Sequence, residues 1–281
     1  MRRFTSYTWR DCEGPEMSTN RMSLMLIVGV VAGVALHAQS AASGSAVQGP
    51  APGRPAQAPA QRGVAPAAAP ASAPRSIAPY FAPAASLPKA PDADGFLQRW
   101  LLLEPIAKPN RTNTVFTDSY VRSVFATEYF PGQFTVVPRN GDEVTVAGQT
   151  LAWHALDASG FNVKLFRFAY GLDKPTYGVI FWAVTVVNAP REMKDVRMAV
   201  GSNSASMWWL NGTEAVILSG DRRMVMDDCI SKRRTLNKGR NVIRGAVING
   251  PGLSDFCVRF IDENGKPIKE LAQSLESSEK L

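Results

Sequence analysis

Trp209 stands first among the residues whose type suits chemistry at a surface. It lies in Ser206-Met207-Trp208-Trp209-Leu210, just before Asn211-Gly212, and an indole offers a flat apolar face on which a ring-shaped ligand can stack. Alternation along a strand sends Trp208 and Leu210 to one face and Trp209 to the other. Polar groups able to complete such a contact are Asn211, Asp221, Arg222 and Arg223, with Trp153 and His154 as a second edge. For Asn211, a turn role by itself accounts for the residue type. An aromatic platform with a few planar polar groups is what a sugar ring asks of a protein.

Covalent and acid–base chemistry are poorly provided for. A serine nucleophile needs a base, normally a histidine held by a carboxylate, and His154 is the one histidine outside the leader. No G-x-S-x-G elbow occurs, and Gly201-Ser202-Asn203-Ser204 lacks the strand-turn-helix setting that exposes a serine. Asp221, Asp227 and Asp228 have the chemistry of a glycosidase pair or of a structural calcium site, but they crowd one loop. One histidine and two separated cysteines do not make a zinc ligand set. The residues therefore point to no catalytic group and no cofactor beyond weak support for calcium. Cys229 and Cys257 suit either a disulfide, in an oxidising compartment, or two buried thiols.

The elements that must hold these residues read as strands. Trp100-Leu101-Leu102-Leu103 suggests an opening strand buried on both faces, ended by Pro105 and Pro109. Tyr120, Val121, Val124 and Phe125 fall at helical spacing after a possible Asp118 cap, predicting one short helix over 117–128. Arg139-Asn140-Gly141-Asp142 is a turn between Val136-Val137 and Val144-Thr145-Val146. Short strands follow at 151–154 and 162–166, and 177–188 is the strongest of all, too β-branched and aromatic for a surface helix. Asn211-Gly212 closes a hairpin between 206–210 and 213–218, and strands over 196–200, 242–249 and 257–261 complete eight or so.

This layout resembles the galactose-binding-like jelly roll, an accessory domain of many polysaccharide-degrading proteins. The resemblance rests on Trp100-Leu101-Leu102-Leu103-Glu104-Pro105, Gly201-Ser202-Asn203-Ser204, Trp209-Leu210-Asn211-Gly212 and Leu236-Asn237-Lys238-Gly239-Arg240-Asn241. From Gly95 onward the chain is similar to the non-catalytic region attached to some acetylxylan esterases. Related domains often carry acidic residues before the W-L-N-G hairpin, where this chain has Asn203 and Ser204, so a family-type contact to metal or sugar there is not implied. What the resemblance implies is an all-β jelly-roll sandwich, with the Trp208 side as core, that binds plant-polysaccharide-like glycans or packs against a glycan-degrading enzyme. The alternatives are an acyl-ester hydrolase on acetylated xylan and a structural assembly domain without ligand.

The ends set the domain's limits. Arg21, the apolar run Leu24–Leu36 and the small residues after it predict a secretory signal peptide over 1–38, and hence a periplasmic or secreted protein; an uncleaved anchor is the alternative. Residues 39–91 read as a disordered Ala/Pro linker, residues 92–270 as the sandwich and 271–281 as a polar tail. The chain's net charge of +7 lies mostly in the leader: from Asp92 onward 23 Lys and Arg meet 21 Asp and Glu, a balance of +2. Nucleic acid, which asks for a concentrated basic face, is disfavoured as a partner.

Overall fold

The computed structural model describes residues 75–108, 116–249 and 252–275. In chain order the elements begin with β1 (Phe81–Pro83), β2 (Arg99–Leu103), β3 (Ile106–Ala107) and α1 (Asp118–Ala126). β4 (Glu143–Val146), β5 (Gln149–Ala158), β6 (Val163–Lys164), α2 (Leu165–Gly171) and β7 (Val179–Ala189) follow. Next come β8 (Met193–Ser202), β9 (Ser206–Leu210), β10 (Thr213–Leu218) and β11 (Cys229–Ile230). The last are β12 (Arg234–Leu236), β13 (Gly239–Ile248), β14 (Asp255–Ile261) and β15 (Ala272–Ser274). They build an all-β sandwich, as the sequence predicts. A ten-stranded sheet runs β1-β5-β2-β7-β13-β9-β10, with β3 and β15 on β7 and β4 on β5; a five-stranded sheet runs β11-β8-β14-β6, with β12 on β8.

The inner core lies between the sheets. Trp100, Phe181, Ile243, Trp208 and Val216 of the large sheet meet Met198, Val200, Phe256 and Phe260 of the small one. At its centre Trp100, Trp208 and Phe256 pack edge to face, with centroids 4.9–6.0 Å apart. Each buried indole N–H is satisfied, Trp100 donating to the Leu97 carbonyl and Trp208 to the Ser206 hydroxyl. Gly245 faces Trp208 across the strand pair, and the ring lies where a Cβ would stand, 2.2 Å away.

The large sheet is covered on its other face too. Along β7, Ile180, Trp182, Val184 and Val186 turn outward beneath Val121, Val124 and Phe125 of α1 and beneath Phe130, while Phe181, Ala183 and Val187 turn inward. A strand buried on both faces reads as one apolar run, which is why 177–188 is so unmistakable in the sequence.

Several expectations are corrected. α1 is capped by Thr117, whose hydroxyl accepts from the Tyr120 N–H, rather than by Asp118. The strand expected over 162–166 is only Val163–Lys164; a second helix begins at Leu165, because Leu165, Phe168 and Ala169 share the buried side at helical spacing. The sheet also reaches into both flanking segments. Phe81, 5 % exposed, anchors β1 against β5 inside the expected linker. In the expected tail, buried Gln273 accepts from the Gln98 and Arg99 N–H groups and donates to the Arg99 carbonyl and the Thr185 hydroxyl. The predicted signal peptide and residues 39–74 lie outside the described residues.

Cys229 and Cys257 are buried and not bonded to each other, so the disulfide between them is not formed. They sit on strands flanking β8, Cys229 opposite Val200 and Cys257 opposite Gly201. Adjacent positions of a strand point to opposite faces, which puts one thiol in the inner core and the other beneath Met224.

Two outcomes follow. Gly245→Ala drives a methyl into the Trp208 ring and destabilises the fold by at least about 2 kcal/mol, read as a lower urea midpoint. Alkylation in denaturant without reductant labels both Cys229 and Cys257; a protected pair would refute the absence of a bridge between them.

Candidate functional site

The segment after α1 walls a cleft on the outer face of the large sheet. It begins with a self-bonded turn: Gln133 accepts from the Tyr129 N–H and donates to the Thr127 carbonyl, and the Glu128 carboxylate takes the Gly132 N–H. Gly132 has φ +77°, and a Cβ there would lie 2.7 Å from the Val136 side chain. Further along, Gly141 donates to the Trp153 carbonyl, Trp153 to that of Asp142, and the Asn140 side chain takes the Ala155 N–H, laying this stretch along β5. Between them opens a cleft of about 270 Å³ lined by Phe130, Gln133, Val136, Asp142, Glu143 and Trp153, among others. Phe130 meets Trp153 edge to face at 6.1 Å. Asp142 accepts from the Arg139 N–H, and Glu143 is exposed at the rim. A larger, more open groove of about 760 Å³, lined by Arg191, Glu192, Lys194, Asp262 and Lys266, has no aromatic wall.

Of the sequence-predicted site residues, Trp153 alone lines the cleft. Trp209 does face away from Trp208, but it is 9 % exposed, stacked on Trp182 at 5.6 Å and capped by Phe134 at 6.0 Å, so it offers no open face. Asn211, with φ +51°, makes the hairpin turn and stitches it to β13: its carbonyl accepts from the Val242 N–H and its amide donates to Asn241. Asn241 in turn closes the 237–241 loop through the Asn237 N–H and the carbonyls of Asn237 and Gly239. Two of the four motifs behind the family resemblance, those ending at Gly212 and Asn241, are thus structural here. In the 219–228 loop, Arg222 pairs with Asp228, and Asp227 pairs with Arg259 of β14. These pairings take up two of the carboxylates considered for calcium. Among the described residues no three His, Cys, Asp or Glu side chains gather to hold a metal.

His154 belongs to a different cluster. Its Nε2 lies 3.5 Å from one oxygen of Glu104, its ring stands edge-on to Phe168, and Lys174 binds the other Glu104 oxygen at 2.8 Å. Burial pushes the Glu104 carboxyl up, but Lys174, the Ala152 N–H and His154 together hold it below the usual glutamate value. Three residues so far apart in sequence leave no local pattern. Asp142 was visible only as a turn residue, and Glu143 beside it carried no signal.

No family model and no curated protein matches this sequence. Solved structures similar to it include the PA14 domain of the MpAFP antifreeze protein, with a TM-score of 0.37 and 9 % identity over 62 % of this chain and 89 % of that one. Another is a PA14 sugar-binding domain from an RTX adhesin, with a TM-score of 0.34 and 12 % identity over 62 % and 96 %. A β-glucosidase from Kluyveromyces marxianus gives 0.29 and 14 %, covering 58 % of this chain and 14 % of that one. These likenesses are too distant to carry an argument about ligand.

The Glu104 carboxylate, held below its unfolded value, stabilises the fold above that unfolded value, and the contribution fades as pH falls through the folded one. Below about pH 4.3 the wild type therefore loses stability on acidification, and Glu104→Gln loses less across the same window. Equal slopes in urea titrations at several pH values would show that the cluster contributes nothing.

Proposed function

We propose that this chain is an exported, non-catalytic glycan-binding sandwich whose ligand enters the cleft between Phe130 and Glu143. The observation that carries the reading is the cleft's lining: exposed Val136 and the edges of Phe130 and Trp153, only 5 % and 3 % accessible, beside the carboxylates of Asp142 and Glu143. Its volume is on the scale of a single sugar ring. Carboxylates beside an aromatic edge suit hydroxyls, which donate to them, and C–H faces, which pack on the ring. Xylan-type plant polysaccharide is the substrate class that the family resemblance suggests, and the predicted signal peptide supports export to the periplasm or medium.

The esterase alternative has less support. His154 would need a serine within hydrogen-bond reach, yet its Nε2 faces Glu104 and has no hydrogen-bond partner. The assembly reading is favoured by one feature, the exposed apolar side chains Val225, Met226 and Leu253, each 53–54 % accessible.

Glu143 is exposed, so Glu143→Ala leaves the melting temperature unchanged. On this reading it weakens retention on acetylated or deacetylated xylan by roughly fivefold, the scale of a lost charged hydrogen bond at a wet rim, and no acetate is released by either protein. Unchanged retention in the variant would remove the cleft from consideration. Acetate release that disappears in His154→Ala would restore the esterase.

A further inference from the structure

Several arginines that this fold buries or half-buries meet carboxylates, whereas half-buried Arg197 donates to the Glu263 carbonyl. Arg99 forks onto Asp157 at 2.9 and 3.0 Å, Arg122 pairs with Asp118 and Glu214, Arg222 with Asp228, and Arg259 with Asp227. Arg244 does not. It is 4 % exposed and lies on the outer face of β13 opposite Trp209. Nη2 donates to the Val136 carbonyl at 3.1 Å, and Nε is buried with no acceptor. Its charged neighbour is Arg240, two positions of the same face away and of like sign; burial first, then Arg240, lowers the Arg244 guanidinium to about 10. It therefore stays cationic at neutral pH without a counter-anion among the described residues. A second donor in the same layer, the Trp182 indole N–H, also lacks an acceptor.

An uncompensated buried charge costs a fold several kcal/mol, and an anion would repay that cost. The covering segment is suited to admitting one. Hydrogen bonds of its Gly132, Gln133, Thr135 and Val136 N–H groups go to residues 128–132, so its turn keeps its shape without the sheet. It is held to the sheet by Arg244, through the Val136 carbonyl, and by Phe134, packed against Trp182 and Trp209. Val136 also lines the cleft, so the two sites share a wall.

We propose that Arg244 is a carboxylate subsite of the cleft, reached when residues 131–137 shift and a ligand carboxylate replaces the Val136 carbonyl on the guanidinium. A guanidinium edge matches a carboxylate bidentately and binds it more strongly than it binds a neutral carbonyl. Arg240, exposed and of the same sign as Arg244, adds attraction for an approaching anion. The inference rests on the glycan-binding reading and names its ligand: a polysaccharide containing uronic acid residues.

The test is affinity electrophoresis of the full chain with polygalacturonate, its methyl ester, neutral xylan and polyglutamate. Polygalacturonate is expected to bind about tenfold more tightly than its ester. Arg244→Met removes that difference and melts no lower than wild type, since an apolar side chain of similar volume relieves the unpaired charge. Arg244→Lys, which keeps the charge without the fork, retains part of the preference and serves if the methionine variant does not fold. A preference that survives in Arg244→Met or Arg244→Lys unreduced overturns the proposal, as does equal retention by polyglutamate. Should xylan or the ester bind with no gain for the acid form, the subsite falls and the glycan-binding reading stands. Should no glycan bind, both fall.

Discussion

The contact between Trp100, Trp208 and Phe256 joins the two sheets, and much of the remaining structure is arranged to permit it. Trp208 comes from the hairpin strand β9, Trp100 from β2 and Phe256 from the small sheet. Three large rings fit between sheets about 10 Å apart only if something opposite them is small, and Gly245 supplies that space on the neighbouring strand. Burying two indoles adds the need for acceptors, met by Leu97 and Ser206. The Asn211–Asn241 link then fixes the ends of β9 and β13, and so the register that sets Trp208 over Gly245.

Because that register puts Trp208 inward, it puts Trp209 outward, and an outward indole must be covered or left to a ligand. This fold covers it. α1 and the segment after it lay a third layer over the large sheet, with Phe134 wedged against both Trp182 and Trp209. The same layer that removes Trp209 from the surface creates the cleft along its border and traps Arg244 beneath Val136. Core packing and candidate binding chemistry are thus two results of one covering segment. The price of an outer layer is visible in its polar atoms: Arg244 and Trp182 keep donors without acceptors, while the inner core satisfies both of its indoles.

The small sheet shows a contrasting solution. Its outward face is crossed by the 219–228 loop, held by Arg259 on Asp227 and by the Arg222–Asp228 pair. Gly201 lets that loop approach so closely that a Cβ would lie 1.9 Å from the Val225 carbonyl oxygen. Charges that in the sequence resemble a ligand set are here consumed in pinning a loop over a strand pair, and Cys257 is buried beneath it.

The sequence by itself determined the class of fold, the hairpin at Asn211-Gly212, the helix after Thr117 and the opposite faces of Trp208 and Trp209. These follow from periodicity and turn chemistry, which act over a few neighbouring residues. It did not reveal β1 or β15, whose short strands rest on single residues, Phe81 and Gln273, finding partners far along the chain. It read 162–166 as strand, running past the start of the helix at Leu165, because that stretch is β-like and the helical spacing emerges only over a full turn. Nor could it show that Trp209 is covered, for the same reason: whether an exposed-looking tryptophan is open or covered depends on a segment some seventy positions earlier in the chain. Arg244 stood in plain view as a charge within an apolar strand, but only the tertiary structure could decide that no carboxylate among the described residues faces it, since the pairing of a buried ion is set by which strands and loops converge on it and not by its neighbours in sequence.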